Sequence, residues 1–187
     1  MKWLRKKRVL LLLFLGFILI LFFNSTWLKI FYPIYYKEEI RHHADNYGVD
    51  PLMIAAIIKV ESNYKPGAES KKGALGIMQI MPDTAKWIMK QARLEEVPLE
   101  RVKRETGTNI ELGSWYLKFL SKKFDGNMTA VIAAYNAGQS NVENWISSGK
   151  WDGRLETAKN IPFGETRHYV QRVSHYYEQY SNLYENF

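Results

Sequence analysis

The 187 residues include no cysteine, which excludes disulfides, cysteine-ligated zinc, a thiol nucleophile and an N-terminal lipoprotein cysteine. The length suffices for one domain with a real core and little more. The net charge of +7 points at first to nucleic acid. However, five of the 26 basic residues (Lys2, Arg5, Lys6, Lys7 and Arg8) are clustered before the apolar run, leaving 21 against 19 and no sign of a phosphate-tracking surface.

Val9 to Phe23 is apolar throughout apart from Gly16. As a helix this run rises only about 22 Å, against the ~30 Å of a hydrocarbon core. Extended through Asn24 to Leu28 it approaches the ~20 residues a span needs. A cleaved signal peptide is the alternative, but no small-x-small site follows Phe23. The reading is therefore an uncleaved, single-pass signal-anchor over 9–28. It has a cytoplasmic basic segment at 1–8, a linker at 29–36, and a domain over 37–187 outside the membrane. Trp27, Phe31 and Tyr32 are expected in the outer interface.

Pro33 to Tyr47 reads as a short helix stopped by Gly48. Asp50 and Pro51 supply an N-cap and a first-turn proline for a helix carrying Glu61. Pro82 opens another, with Ala85, Trp87, Ile88 and Met89. Gln91 to Gly107 is charged and less regular. Thr108 or Asn109 is expected to cap a helix with Ile110, Leu112, Tyr116, Leu117 and Leu120. Asn127 caps MTAVIAAYN, closed by Gly138. Ser140 to Ile146 is a short helix, Ser147 to Asn160 a loop, and Glu165 begins a last helix through Tyr180. No repeat is visible, and no strand run is long enough for a sheet core. The fold class expected is α+β, mostly α, with a small loop-hairpin insert.

That insert lies within KVESNYKPGAESKKGALGIMQIMP, Lys59 to Pro82, where Pro66, Gly67, Gly73 and Gly76 favour turns or a short hairpin. Glu61 ends the run LMIAAIIKVE, which is apolar almost all round and so predicts a buried helix. A carboxyl at the exit of a buried helix is partly desolvated, which raises its pKa and suits a general acid. The plainer reading is a helix-end residue wetting its carboxylate.

Four separated segments then carry a likeness: ESNYKPGAES, GALGIMQIMP, AAYNAG (Ala133 to Gly138) and IPFGETRHYV (Ile161 to Val170). In this order and spacing the chain resembles the soluble-lytic-transglycosylase catalytic domain, here in a membrane-anchored form. Ile77 stands where that family usually has Leu. The resemblance implies a lysozyme-like fold over roughly Tyr36 to Tyr180 and cleavage of peptidoglycan between N-acetylmuramic acid and N-acetylglucosamine, leaving a 1,6-anhydro end. It implies Glu61 as acid and then base. Ser70 and Gln79 would hold substrate near Glu61, and Met81 would line the cleft floor. Tyr135 and Asn136 would lie opposite Glu61, with Glu165 and Tyr169 on the far wall. It implies no metal and no organic cofactor, with the glycan strand and the membrane as partners. On the residues alone, Ser70 could equally satisfy a turn, Gln79 cap a loop, and Met81 and Tyr135 fill the core. Asn136 could be a helix C-terminal residue and Glu165 a dipole-friendly cap. His42, His43, His168 and His175 show no metal-ligand spacing.

Glycosidases usually need two carboxyls. Glu69 lies beside Lys71 and Lys72, and Asp83 lies in a helix start, so a single-carboxylate mechanism fits the sequence better. The alternatives are a hydrolysing lysozyme of the same fold using Glu69 or Asp83, and a catalytically idle wall-binding scaffold.

Overall fold

Every regular element is helical in the computed structural model, which describes residues 2–23, 25–184 and 187 and the side chains of 6–20, 27–184 and 187. The order is α1 (Lys2–Phe23), a 3-10 segment (Ser25–Ile30), α2 (Lys37–Tyr47), α3 (Pro51–Ser62), α4 (Pro82–Ala92) and α5 (Leu99–Arg104). Then come α6 (Thr106–Lys123), α7 (Met128–Ala137), α8 (Gln139–Ser147), a 3-10 turn (Ala158–Asn160) and α9 (Gly164–Leu183).

α3 is the axis of the core. Asp50 accepts a hydrogen bond from the Leu52 N–H at 2.8 Å, and Pro51 stands at the first helical position. Met53 through Ile58 are all buried, because α2, α6 and α9 surround the helix. Side chains the size of Ile54, Ile57 and Ile58 contribute about 1.5–3 kcal/mol each when fully buried. α9 runs back along α3: Tyr177 donates to Asp50 at 2.6 Å near one end, and Tyr169 meets Glu61 near the other. α9 also packs on α7, so the last helix closes two faces at once.

The expected α+β class is corrected: the fold is all-α, with no sheet among the described residues. The insert between α3 and α4 makes only isolated bridges, Glu69 with Leu75 and Leu75 with Ile80. Two reversals follow each other, one closed by the Ala74 carbonyl and the Ser70 N–H at 3.0 Å, the next by the Leu75 and Ile80 backbone pair at 2.9 Å. No straight run is left in which a ladder could grow.

Asn109 is also corrected. It is not a cap but a fully buried residue inside α6, which starts at Thr106. Its amide donates to the carbonyls of Leu75 at 3.0 Å and Val102 at 2.9 Å, and accepts from the Met78 N–H at 2.7 Å. It stands directly behind Gly76 (φ +74), where any Cβ would fall within 2.2–2.8 Å of the Asn109 side chain. The insert is therefore pinned to α6 through its backbone. Asn109→Ala would leave the buried Met78 N–H without its acceptor and take a donor from the carbonyls of Val102 and Leu75, of which Leu75 keeps the Ile80 N–H. It is expected to cost about 3 kcal/mol, read as a lowered urea midpoint.

The membrane anchor expected over 9–28 is not found: no helix among the described residues is long and apolar enough to cross a membrane. The extension the span needed fails for a geometric reason. α1 ends at Phe23, and Ser25–Ile30 is a 3-10 segment rather than more α-helix. The membrane-anchored form, the single-pass topology and the membrane as partner are overturned with it. Tyr32, expected at an interface, packs instead on α9. Its ring lies 6.1 Å from that of Tyr176, and its carbonyl accepts from the Tyr184 hydroxyl at 2.9 Å. Asn24, the side chains of 21–23, and those of Lys2 and Arg5 in the basic cluster lie outside the described residues, as do Glu185 and Asn186 of the expected 37–187 domain.

Candidate active site

Glu61 lies one residue before the end of α3, partly buried. The next residue, Ser62, donates to the Ile77 carbonyl at 2.7 Å and ties the insert to the helix exit. From α9, the buried Tyr169 hydroxyl donates to Glu61 Oε1 at 2.8 Å. Desolvation raises the Glu61 pKa to about 7. The Tyr169 hydrogen bond and the Arg172 charge oppose that rise, and the charge of Glu165 adds to it. The carboxyl therefore holds and releases a proton near neutrality, as general acid–base work requires.

Tyr135, from α7, is raised well above the usual phenol range, first by burial and then by the charge of Glu61. Its hydroxyl donates to the Met78 carbonyl at 3.0 Å. Tyr135 also lines a cavity of about 210 Å³, together with Gln79, Met81, Thr84, Tyr116 and Asn136. Met81 stands 43% exposed at this wall rather than in the core. Gln79 adopts a left-handed backbone (φ 49) and is held there by its own amide, which donates to the Gly76 carbonyl at 2.7 Å and the Ala68 carbonyl at 3.3 Å. Asn136 accepts from the buried Thr166 hydroxyl at 2.8 Å, which fixes the end of α7 against α9.

Two expected residues stand differently. The Ser70 hydroxyl accepts from the Ala74 N–H at 2.9 Å, the turn-satisfying role. Glu165 is exposed at the start of α9 and pairs with Lys72 of the insert at 3.2 Å. Neither lines the cavity beside Tyr135; Glu61 and Tyr169 do not line it either, although the charge of Glu61 reaches Tyr135. Of the acids weighed as second carboxylates, Glu69 is engaged by Lys103 at 2.6 Å, and Asp83 is exposed in the first turn of α4. Among the described residues no group of His, Asp or Glu is placed to hold a metal ion.

Residues 38–157 match the transglycosylase SLT domain. The chain belongs to that family. A soluble lytic murein transglycosylase of Salmonella typhimurium (strain LT2) is 33% identical over 155 residues, covering 81% of this chain and 24% of its own. The membrane-bound lytic murein transglycosylase C of Edwardsiella ictaluri is 29% identical over 168 residues, covering 79% and 47%. Among solved structures, the 70 kDa soluble lytic transglycosylase of Escherichia coli superposes with a TM-score of 0.78 at 30% identity, over 83% of this chain and 25% of that one. An inactive mutant of the lytic transglycosylase Slt from Pseudomonas aeruginosa gives 0.73 at 33% identity, over 83% and 26%. The chain thus spans about a quarter of the length of these soluble relatives.

The match to the SLT domain stops at residue 157, yet α9 beyond it supplies Tyr169, Glu165 and Arg172. Of these, Arg172 escaped the reading of the sequence, as did Thr166 and Lys72. Arg172 follows Tyr169 by three residues on one face of α9. The pattern ETRHYVQR could have revealed it, since positions 165, 169 and 172 share a helix face. Thr166 had no such signal, because its partner lies 30 residues away on another helix.

Proposed function

We propose that the chain is a peptidoglycan lytic transglycosylase that cleaves the bond between N-acetylmuramic acid and N-acetylglucosamine without water, with Glu61 as both acid and base. The observation that carries this is the environment of Glu61: an acid with a pKa near 7, held by Tyr169, at the exit of a buried helix. In the proposed reaction Glu61 protonates the leaving glycosidic oxygen as the bond to the anomeric carbon breaks. The substrate's acetamido oxygen stabilises the cation, the substrate-assisted exception to the two-carboxylate rule. The sugar's C6 oxygen then bonds to the anomeric carbon, and its proton returns to the Glu61 carboxylate. The C6 hydroxyl is part of the substrate and so arrives at high effective concentration. In this reading Gln79, Met81, Tyr135 and Asn136 bind the sugar, Tyr169 orients Glu61, and Ser70 and Glu165 act at the edges of the cleft.

The hydrolytic alternative needs a second carboxylate to direct water. Glu69 and Asp83 are poorly suited, the first being tied to Lys103 and the second standing exposed on α4. Product analysis decides between the two. Muropeptides released from purified peptidoglycan in heavy-oxygen water are expected to end in 1,6-anhydro-N-acetylmuramic acid and to carry no label at the anomeric carbon. Reducing, labelled products would mean hydrolysis, and would direct attention to Glu165, the acid whose charge Glu61 feels.

A further inference from the structure

The cavity beside Tyr135 is about 210 Å³, below the ~300–1,000 Å³ usual for a ligand cleft. A polymer seated there must continue over the surface. A row of aromatic rings leads out from this cavity. Tyr135 and Tyr116 have centroids 5.6 Å apart, and Tyr116 lies 6.2 Å from Trp87. Trp87 lies 5.0 Å from Phe119 and 5.8 Å from Trp115, and Trp115 stacks on Phe119 at 5.7 Å with planes 9° apart. Helical spacing sets the direction: Trp87 is one turn beyond Thr84 on α4 and Phe119 one turn beyond Tyr116 on α6, and both Thr84 and Tyr116 line the cavity.

Exposure separates the outer rings from core filling. Trp145 and Trp151 are 4% and 1% exposed, whereas Trp87, Trp115 and Phe119 keep part of their surface in water. The Trp151 indole donates to the Arg154 carbonyl at 3.1 Å, whereas the indole N–H groups of Trp87 and Trp115, like that of Trp145, meet no acceptor among the described residues. Apolar faces with unclaimed donors at their edges suit sugar rings, which present C–H faces and peripheral hydroxyls.

We propose that Trp87, Trp115 and Phe119 form a stacking platform that continues the cleft beyond Tyr116 and holds further sugars of the same glycan strand. This rests on the glycan-cleaving reading of the cleft. The test uses the full chain labelled with fluorotryptophan and carrying Glu61→Gln, so that strands remain intact. Its six tryptophans are resolved by fluorine resonance and assigned with Trp87→Phe and Trp115→Phe. Long peptidoglycan strands are expected to shift the Trp87 and Trp115 resonances, and the disaccharide repeat to leave them in place, with Trp145 and Trp151 still in both cases. In the active chain, Trp115→Ala is expected to raise KM for long strands about two- to tenfold with kcat unchanged. Silent Trp87 and Trp115 resonances, or equal shifts at Trp145 and Trp151, would overturn the platform if the unlabelled wild-type chain cuts the same strands. A wild-type chain that releases no product from them would instead overturn the cleavage reading.

Discussion

Glu61→Gln is expected to lower turnover by at least about a thousandfold, within the range for loss of a positioned general acid, while making the protein more stable in alkaline solution. Both effects come from one carboxyl. Gln keeps an oxygen for the Tyr169 hydroxyl but carries no transferable proton. The stability effect follows from the raised pKa. A group moved from 4.5 unfolded to about 7 folded contributes its full stability below pH 4.5 and loses it as pH rises through 7. Above pH 7 the native state holds a poorly solvated carboxylate, at a cost of roughly 3 kcal/mol. Gln removes that cost. Urea midpoints of the two proteins are expected to coincide at pH 4 and to separate in favour of the variant by pH 8. A variant that retains near-wild-type turnover would move the active site elsewhere.

The second large effect is on pH dependence. If Glu61 must be protonated to act, kcat/KM falls about tenfold per unit above pH 7, or about a hundredfold by pH 9. The neighbours of Glu61 set where that limb lies. Tyr169→Phe removes the hydrogen bond that favours the carboxylate, and Arg172→Ala removes a favourable charge, so each is expected to move the limb to higher pH. Glu165→Gln removes a repelling charge and is expected to move it lower. Release of soluble muropeptides across a pH series measures all three. A limb that stays fixed in every variant would mean that another group titrates.

What the sequence disclosed follows from how far each interaction reaches. Asp50 and Pro51, Asn127, Gly48 and Gly138 act within a turn of themselves, and the helix limits they predict agree with α2, α3 and α7. The partial burial of Glu61 was legible because the apolar run before it forecasts a buried helix. Asn109 was misread because its partners are the backbones of Leu75 and Met78, more than thirty residues away, and a buried Asn spells the same as a capping one. The role of Ser70 in a turn was legible from its loop. Arg172 was legible only through its helical spacing from Glu165 and Tyr169, and Lys72 was not, since its partner Glu165 comes to it only when α9 docks. The anchor expectation fails because apolar composition over 9–23 does not carry on as helix through Ser25–Ile30.

The bond from Tyr169 to Glu61 spans 108 residues of chain, and those from Tyr64 to Tyr180 and from Tyr177 to Asp50 span 116 and 127. Helices assemble quickly from local contacts, but joining segments so distant carries a loop-closure entropy that local structure cannot offset in advance. Until α9 lies along α3, Glu61 faces water and has an ordinary carboxylate's acidity. In the proposed mechanism the acid–base function of Glu61 therefore depends on a contact that local structure cannot form in advance.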